Sequence, residues 1–92
     1  MADFTVRVEL HKADASDYEL LHEKMEAKGY SKEIKDSSGE KYKLPSAEYV
    51  TTKNKTSSEV RDEVEKIASS VKKNPYVLVT KSDGTAWLLS PV

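Results

Sequence analysis

The sequence contains no cysteine, which excludes a disulfide scaffold, a thiolate zinc site and a cysteine nucleophile. Its three glycines, Gly29, Gly39 and Gly84, lie far apart, so there is no glycine-rich loop to cradle a phosphate. No serine sits in a nucleophile-elbow pattern. The two histidines, His11 and His22, do not have the HExxH spacing of a zinc protease. No apolar run approaches the roughly 18 residues that suggest a membrane span. Met1 to Leu10 alternates apolar with polar rather than forming the continuous apolar stretch of a secretory signal. A cytoplasmic protein with no membrane partner is the simplest expectation, and on that reading the glycosylation pattern at Asn54-Lys55-Thr56 is fortuitous. An excess of one charge is also missing. Fifteen Lys and Arg face sixteen Asp and Glu, for a net charge of −1, unlike the one-sided charge of most disordered chains.

What is present is periodic. With 92 residues, the chain has room for one domain, spanning 1–92, with one modest core. Phe4, Val6, Val8 and Leu10 alternate with Thr5, Arg7, Glu9 and His11, the pattern of a strand with one buried face. Asp14 to Lys28 reads as a helix. Asp14, Ser16 and Asp17 suit its first turn, Tyr18, Leu21 and Met25 recur on one face, and Gly29 offers a left-handed stop. Tyr30–Lys35 and Glu40–Leu44 flank the turn residues Asp36-Ser37-Ser38-Gly39. Either a short hairpin forms there, or Tyr30–Lys35 is a strand followed by a long loop. Pro45 breaks the chain, and Ala47–Lys53, rich in Tyr, Val and Thr, reads as a further strand.

Thr56-Ser57-Ser58-Glu59 fits a capping box. Val60, Val64, Ile67 and Val71 continue at helical spacing with Ala68 beside them, and Asn74-Pro75 ends the helix. Tyr76–Lys81 is an apolar strand, Ser82-Asp83-Gly84 a tight turn, and Thr85–Leu89 a short returning strand, with Ser90-Pro91-Val92 loose at the end. The order predicts an α+β, ferredoxin-like βαββαβ sandwich: an antiparallel sheet, two helices on one face and a C-terminal hairpin. The expected core is Phe4, Val6, Val8, Leu10, Leu21, Met25, Val60, Val64, Ile67, Val71, Val77 and Val79. The opposite sheet face remains open, and the scaffold by itself assigns no activity.

Two groups of residues carry candidate chemistry. On the first strand, Arg7, Glu9 and His11 share the polar side. An arginine can hold a phosphate while an imidazole moves a proton, although alternation alone also puts polar residues there. Around the 30–43 segment, Lys32, Lys35, Lys41 and Lys43 interleave with Tyr30 and Tyr42. Cations for phosphates and rings for bases are the means of single-stranded RNA binding. Glu33, Asp36 and Glu40 dilute that patch, so an ordinary solvated hairpin is an equal reading. Asp14 and Asp83 suit a helix cap and a turn better than a metal site, and Trp87 could stack on a base, although a lone tryptophan more often fills a core. Ala47-Glu48-Tyr49-Val50 does not fit the RNP signature of an RNA-recognition motif.

The element order resembles that of the GhoS family of small antitoxin endoribonucleases. So do Phe4-Thr5-Val6-Arg7-Val8-Glu9-Leu10 before a Tyr-containing helix, Tyr42-Lys43-Leu44-Pro45-Ser46-Ala47-Glu48-Tyr49, and Tyr76-Val77-Leu78-Val79-Thr80. The resemblance covers residues 3–89. It implies a ferredoxin-like fold related to small CRISPR-associated nucleases, and an RNase that acts on RNA, a toxin transcript in the founding case. The expected partner is single-stranded RNA, with the chain a monomer or homodimer. It transfers no catalytic residue. The CRISPR-associated enzymes carry an aspartate at the end of the first strand, where this chain has Leu10-His11-Lys12, so the expected chemistry needs no metal or cofactor. In that chemistry His11 is the base, Arg7 the phosphate clamp, and Lys32, Lys35, Lys41 and Lys43 the RNA contacts. The competing reading is a non-catalytic module that binds a protein or small ligand on the open sheet face. A net charge near zero favours that alternative, since strong sequence-independent binding to nucleic acid normally accompanies a basic excess.

Overall fold

The computed structural model describes residues 1–92. Period-two alternation produces β1 (Ala2–Glu9), whose Phe4, Val6 and Val8 point into the core. Helix α1 (Ala15–Ala27) starts at a capping box in which Asp14 accepts from the Asp17 amide and Asp17 accepts from the Asp14 amide. It ends with the two backbone bonds of a Schellman turn, Gly29 N–H to Glu26 O and Tyr30 N–H to Met25 O, both 3.0 Å. Gly29 takes φ +88°, which a side chain would resist. The turn sends Tyr30 inward, where it is fully buried.

A hairpin follows, β2 (Glu33–Lys35) and β3 (Lys41–Lys43), which decides between the two readings of that segment. Asp36 builds its turn by accepting from the amides of Ser38 and Glu40. Strand β4 (Glu48–Lys53) and helix α2 (Ser57–Ser69) come next, the helix opened by the Thr56–Glu59 capping box. The last strand is β5 (Tyr76–Lys81).

β1 is the middle strand of an antiparallel sheet ordered β4-β1-β5, with Phe4 opposite both Thr51 and Lys81. The hairpin meets the outer edge of β4 through one bridge, in which Ser31 and Val50 exchange two backbone bonds of 2.8 and 2.9 Å. The core unites Phe4, Val6, Val8, Leu10 and Tyr49 with Leu21, Met25 and Tyr30 from the α1 region and Val60, Val64 and Ala68 of α2. Both helices therefore cover one face of the sheet. Ile67, Val71, Val77 and Val79 pack at the margin of this cluster instead of inside it; Val77 and Val79 do so because β5 is an edge strand with one unpaired side. Two deep positions absent from the expected core, Tyr30 and Tyr49, are large rings whose hydroxyls find partners: Tyr30 donates to Glu63 (2.7 Å), and Tyr49 bonds Nδ1 of His22.

The expected C-terminal hairpin does not form. Residues 85–89 have no strand partner; after Ser82 donates to Asp3 O (2.8 Å), the chain leaves β5 and crosses the sheet face away from the helices. Ser90-Pro91-Val92, expected to be loose, pairs with β3: Lys43 N–H bonds Ser90 O and Val92 N–H bonds Lys41 O. Pro91 fits there because the bonds on either side of it need no proline N–H. Trp87 stands edge-on to Tyr42, with ring centroids 5.8 Å apart. No helix is long and apolar enough to cross a membrane.

Candidate nucleic-acid interface

Facing pairs in the β2–β3 hairpin, Glu33 with Lys43 and Lys35 with Lys41, place four charged side chains on one side of the ribbon, with Ile34 and Tyr42 on the other. Three ammonium groups, Lys35, Lys41 and Lys43, thus share an exposed surface with one carboxylate. The only ion pair there, Lys41 to Glu33, is a loose 4.0 Å contact. The fourth lysine of the group lies elsewhere. Lys32 donates to the carbonyls of Pro45 and Glu48 (the latter at 2.9 Å), and its ammonium sits 5.0 Å from the centre of the Tyr49 ring. Burial pushes its pKa down to about 8 against the pull of Glu48. Lys32 is a structural cation that ties the hairpin base to β4. The expected interleaving of rings with these cations is also absent: Tyr30 is in the core, and Tyr42 points to the opposite face, where its hydroxyl donates to Asp36 (3.1 Å).

Arg7 and His11 engage different neighbours. Arg7 is exposed on β1 and pairs across the strand with Glu48 at 3.7 Å. His11 lies two residues past the end of β1, and its ring stands edge-on to Tyr76 with centroids 4.4 Å apart. No hydrogen bond or ion pair joins the two side chains. His11 instead borders a cleft of about 670 Å³ between the β1–α1 loop and the end of α2, lined by Lys12, Ser69–Asn74 and the imidazole itself.

His22, which the sequence analysis assigned no role, is part of a half-buried polar cluster. It lies between Tyr18 and Tyr49, bonds the Tyr49 hydroxyl, and has its pKa lowered by burial first and by the Lys32 ammonium second. Its spacing to Tyr18 on the same helix face was the available signal. Asp14 caps α1 as expected, and its carboxyl is held below the usual range by its bond from the Ser16 hydroxyl and then the Asp17 amide. Nowhere do three or more His, Asp or Glu side chains gather as a metal site would require. On the face away from the helices, a cavity of about 480 Å³ lies under the crossing tail, lined by Thr5, Ser31, Ile34, Val50, Thr52 and Trp87 among others.

The chain is therefore a small α+β domain with a cationic hairpin and a separate imidazole cleft. No family model matches the chain, and no curated protein matches it.

Proposed function

We propose that this is a ferredoxin-like, GhoS-type RNA-binding protein with endoribonuclease activity toward single-stranded RNA, such as a toxin transcript. The observation that carries the reading is the Lys35–Lys41–Lys43 face of the hairpin, a compact set of exposed ammonium groups suited to backbone phosphates. The strand order supports the ferredoxin-like part: β5-β1-β4, extended past β4 by the Ser31–Val50 bridge to the hairpin, follows the sequence of positions that a split β-α-β sheet requires.

RNA brings its own nucleophile. In the proposed step the 2′-hydroxyl passes its proton to His11 while its oxygen bonds to phosphorus. The bond to the 5′-oxygen breaks, water supplies the proton to that leaving oxygen, and a 2′,3′-cyclic phosphate remains. The test is incubation of the purified protein with mixed single-stranded RNA, with and without EDTA. Cleavage should persist in EDTA, stop when the nucleotide at the cut site is 2′-deoxy, and be lost in His11→Ala. Activity abolished by EDTA, or undiminished in His11→Ala, would overturn this chemistry; no binding of RNA at all would overturn the whole reading. The second reading, a non-catalytic module for a small ligand, draws on the 480 Å³ cavity beneath Trp87, whose hydroxyl-rich lining suits a polar molecule.

A further inference from the structure

We infer that the cleft beside His11 is the phosphate subsite for the RNA strand, with Lys12 and Lys73 as its cations and Tyr76 as the platform for the adjoining base. This rests on the RNA reading above, and it moves the clamp from Arg7, already paired with Glu48, to a different part of the molecule. Three independent features meet there. Lys12, Lys72 and Lys73 line one cleft with His11, and of the three only Lys72 is neutralised, by Asp17 at 3.7 Å. Neither Lys12 nor Lys73 joins any ion pair.

The second feature is the backbone. Lys12 (φ 53°) and Asn74 (φ 57°) are the only residues other than glycine with positive φ, and both line this cleft. Asparagine tolerates that conformation, whereas lysine adopts it at a conformational cost, and strained backbone of this kind gathers where a fold positions groups for a task. The third is the aromatic surface. Tyr76 is 66% exposed with its ring against His11, and Leu78 beside it on the same sheet face is 63% exposed. An uncovered ring beside the imidazole that borders the cleft is what a stacked base needs.

The negative end of α2 offers a competing account of Lys72 and Lys73, since cations near a helix C-terminus are favourable without any ligand. It does not account for Lys12, which comes from the opposite loop in a strained conformation. Carboxylates near the cleft are Asp17, engaged by Lys72, Asp14, engaged in capping α1, and Glu9, opposite Tyr76 on β1.

The test is a ¹H–¹⁵N NMR titration of the intact protein with a single-stranded hexauridylate, with uridine 3′-monophosphate and with inorganic phosphate, together with affinity measurements across salt concentrations. Shifts at His11, Lys12, Lys73, Asn74 and Tyr76 with the oligonucleotide and the nucleotide, and weaker ones at the same lysines with phosphate alone, are expected. The pair Lys12→Gln and Lys73→Gln, exposed changes that leave the core intact, should weaken hexauridylate binding about tenfold and flatten the salt dependence. Tyr76→Ala should weaken it about tenfold with the salt slope unchanged, and Lys66→Gln on α2 should do neither. Shifts confined to Lys35, Lys41 and Lys43 would overturn this site and leave the RNA reading standing. The absence of shifts anywhere with hexauridylate would overturn both.

Discussion

Val64→Ala and Val77→Ala remove the same two methyl groups from positions that the fold treats differently. Val64 is completely buried on α2 within the core cluster, whereas Val77 lies on the edge strand and is half-buried. At about 0.8 kcal/mol for each buried methylene-sized group, the transfer loss at Val64 is about 1.6 kcal/mol. Incomplete collapse around the vacancy adds about 1 kcal/mol. The total of about 2.5 kcal/mol is a large share of the stability of so small a domain. For a chain of this size it corresponds to a fall of roughly 10–20 °C in the melting temperature. At Val77 half of the transfer loss already lies in water and no closed cavity forms, so the cost is below about 1 kcal/mol. Urea unfolding of the two variants measures the difference as a change in midpoint at constant m. Equal costs at the two sites, or a loss below about 1 kcal/mol at Val64, would refute the burial of this face of α2 in the core.

Two further predictions concern the hairpin side. The depressed His22 pKa means that the unfolded chain takes up a proton near 6.5 while the folded chain resists it. The contribution is therefore complete above 6.5 and declines as pH falls through the folded value, so the unfolding midpoint should drop over that window and the drop should vanish in His22→Gln. The loss of edge contact with Tyr42 in Trp87→Ala should release the tail from β3. Amide exchange at Lys43 and Val92 should quicken roughly tenfold while Val6 in the central strand stays protected; unchanged exchange at Lys43 would show that Trp87 does not anchor the tail.

Much of this architecture is written in short-range signals. Both capping boxes, the alternation in β1 and the Asp36–Gly39 turn are local chemistry, and each appears where the residues put it. Tyr30 was legible too: a Schellman turn at Gly29 brings the second residue after the cap against the helix, which makes Tyr30 the partner of Met25 in the core. Likewise the alternation in β4 implies that Tyr49 and Thr51 face the helices together. The tail was not legible. Ser82-Asp83-Gly84 indicates that the chain turns but not which strand edge it then meets, and the choice of β3 over the edge of β5 depends on contacts some fifty residues distant in sequence. The fate of Lys32 has the same cause, since its two carbonyl partners belong to residues brought near only when β4 docks. The proposed functional surface was legible as a set of residue types and not as a grouping. Composition showed a lysine-rich segment, but only strand register separates Lys35, Lys41 and Lys43 from Lys32, and only the loop conformations bring Lys12 beside Lys73.

The tail's departure leaves the outer side of β5 without a neighbour. From Tyr76 to Thr80 that strand has no charged side chain, and Lys81 is the first. A short, β-branched, uncharged edge is a template on which another strand can add its backbone bonds. Concentrated or partly melted protein is thus exposed to strand-to-strand aggregation at one defined place, where Lys81 is the only charge on the strand itself and Arg61 of α2 the charge that borders Val77 to Val79.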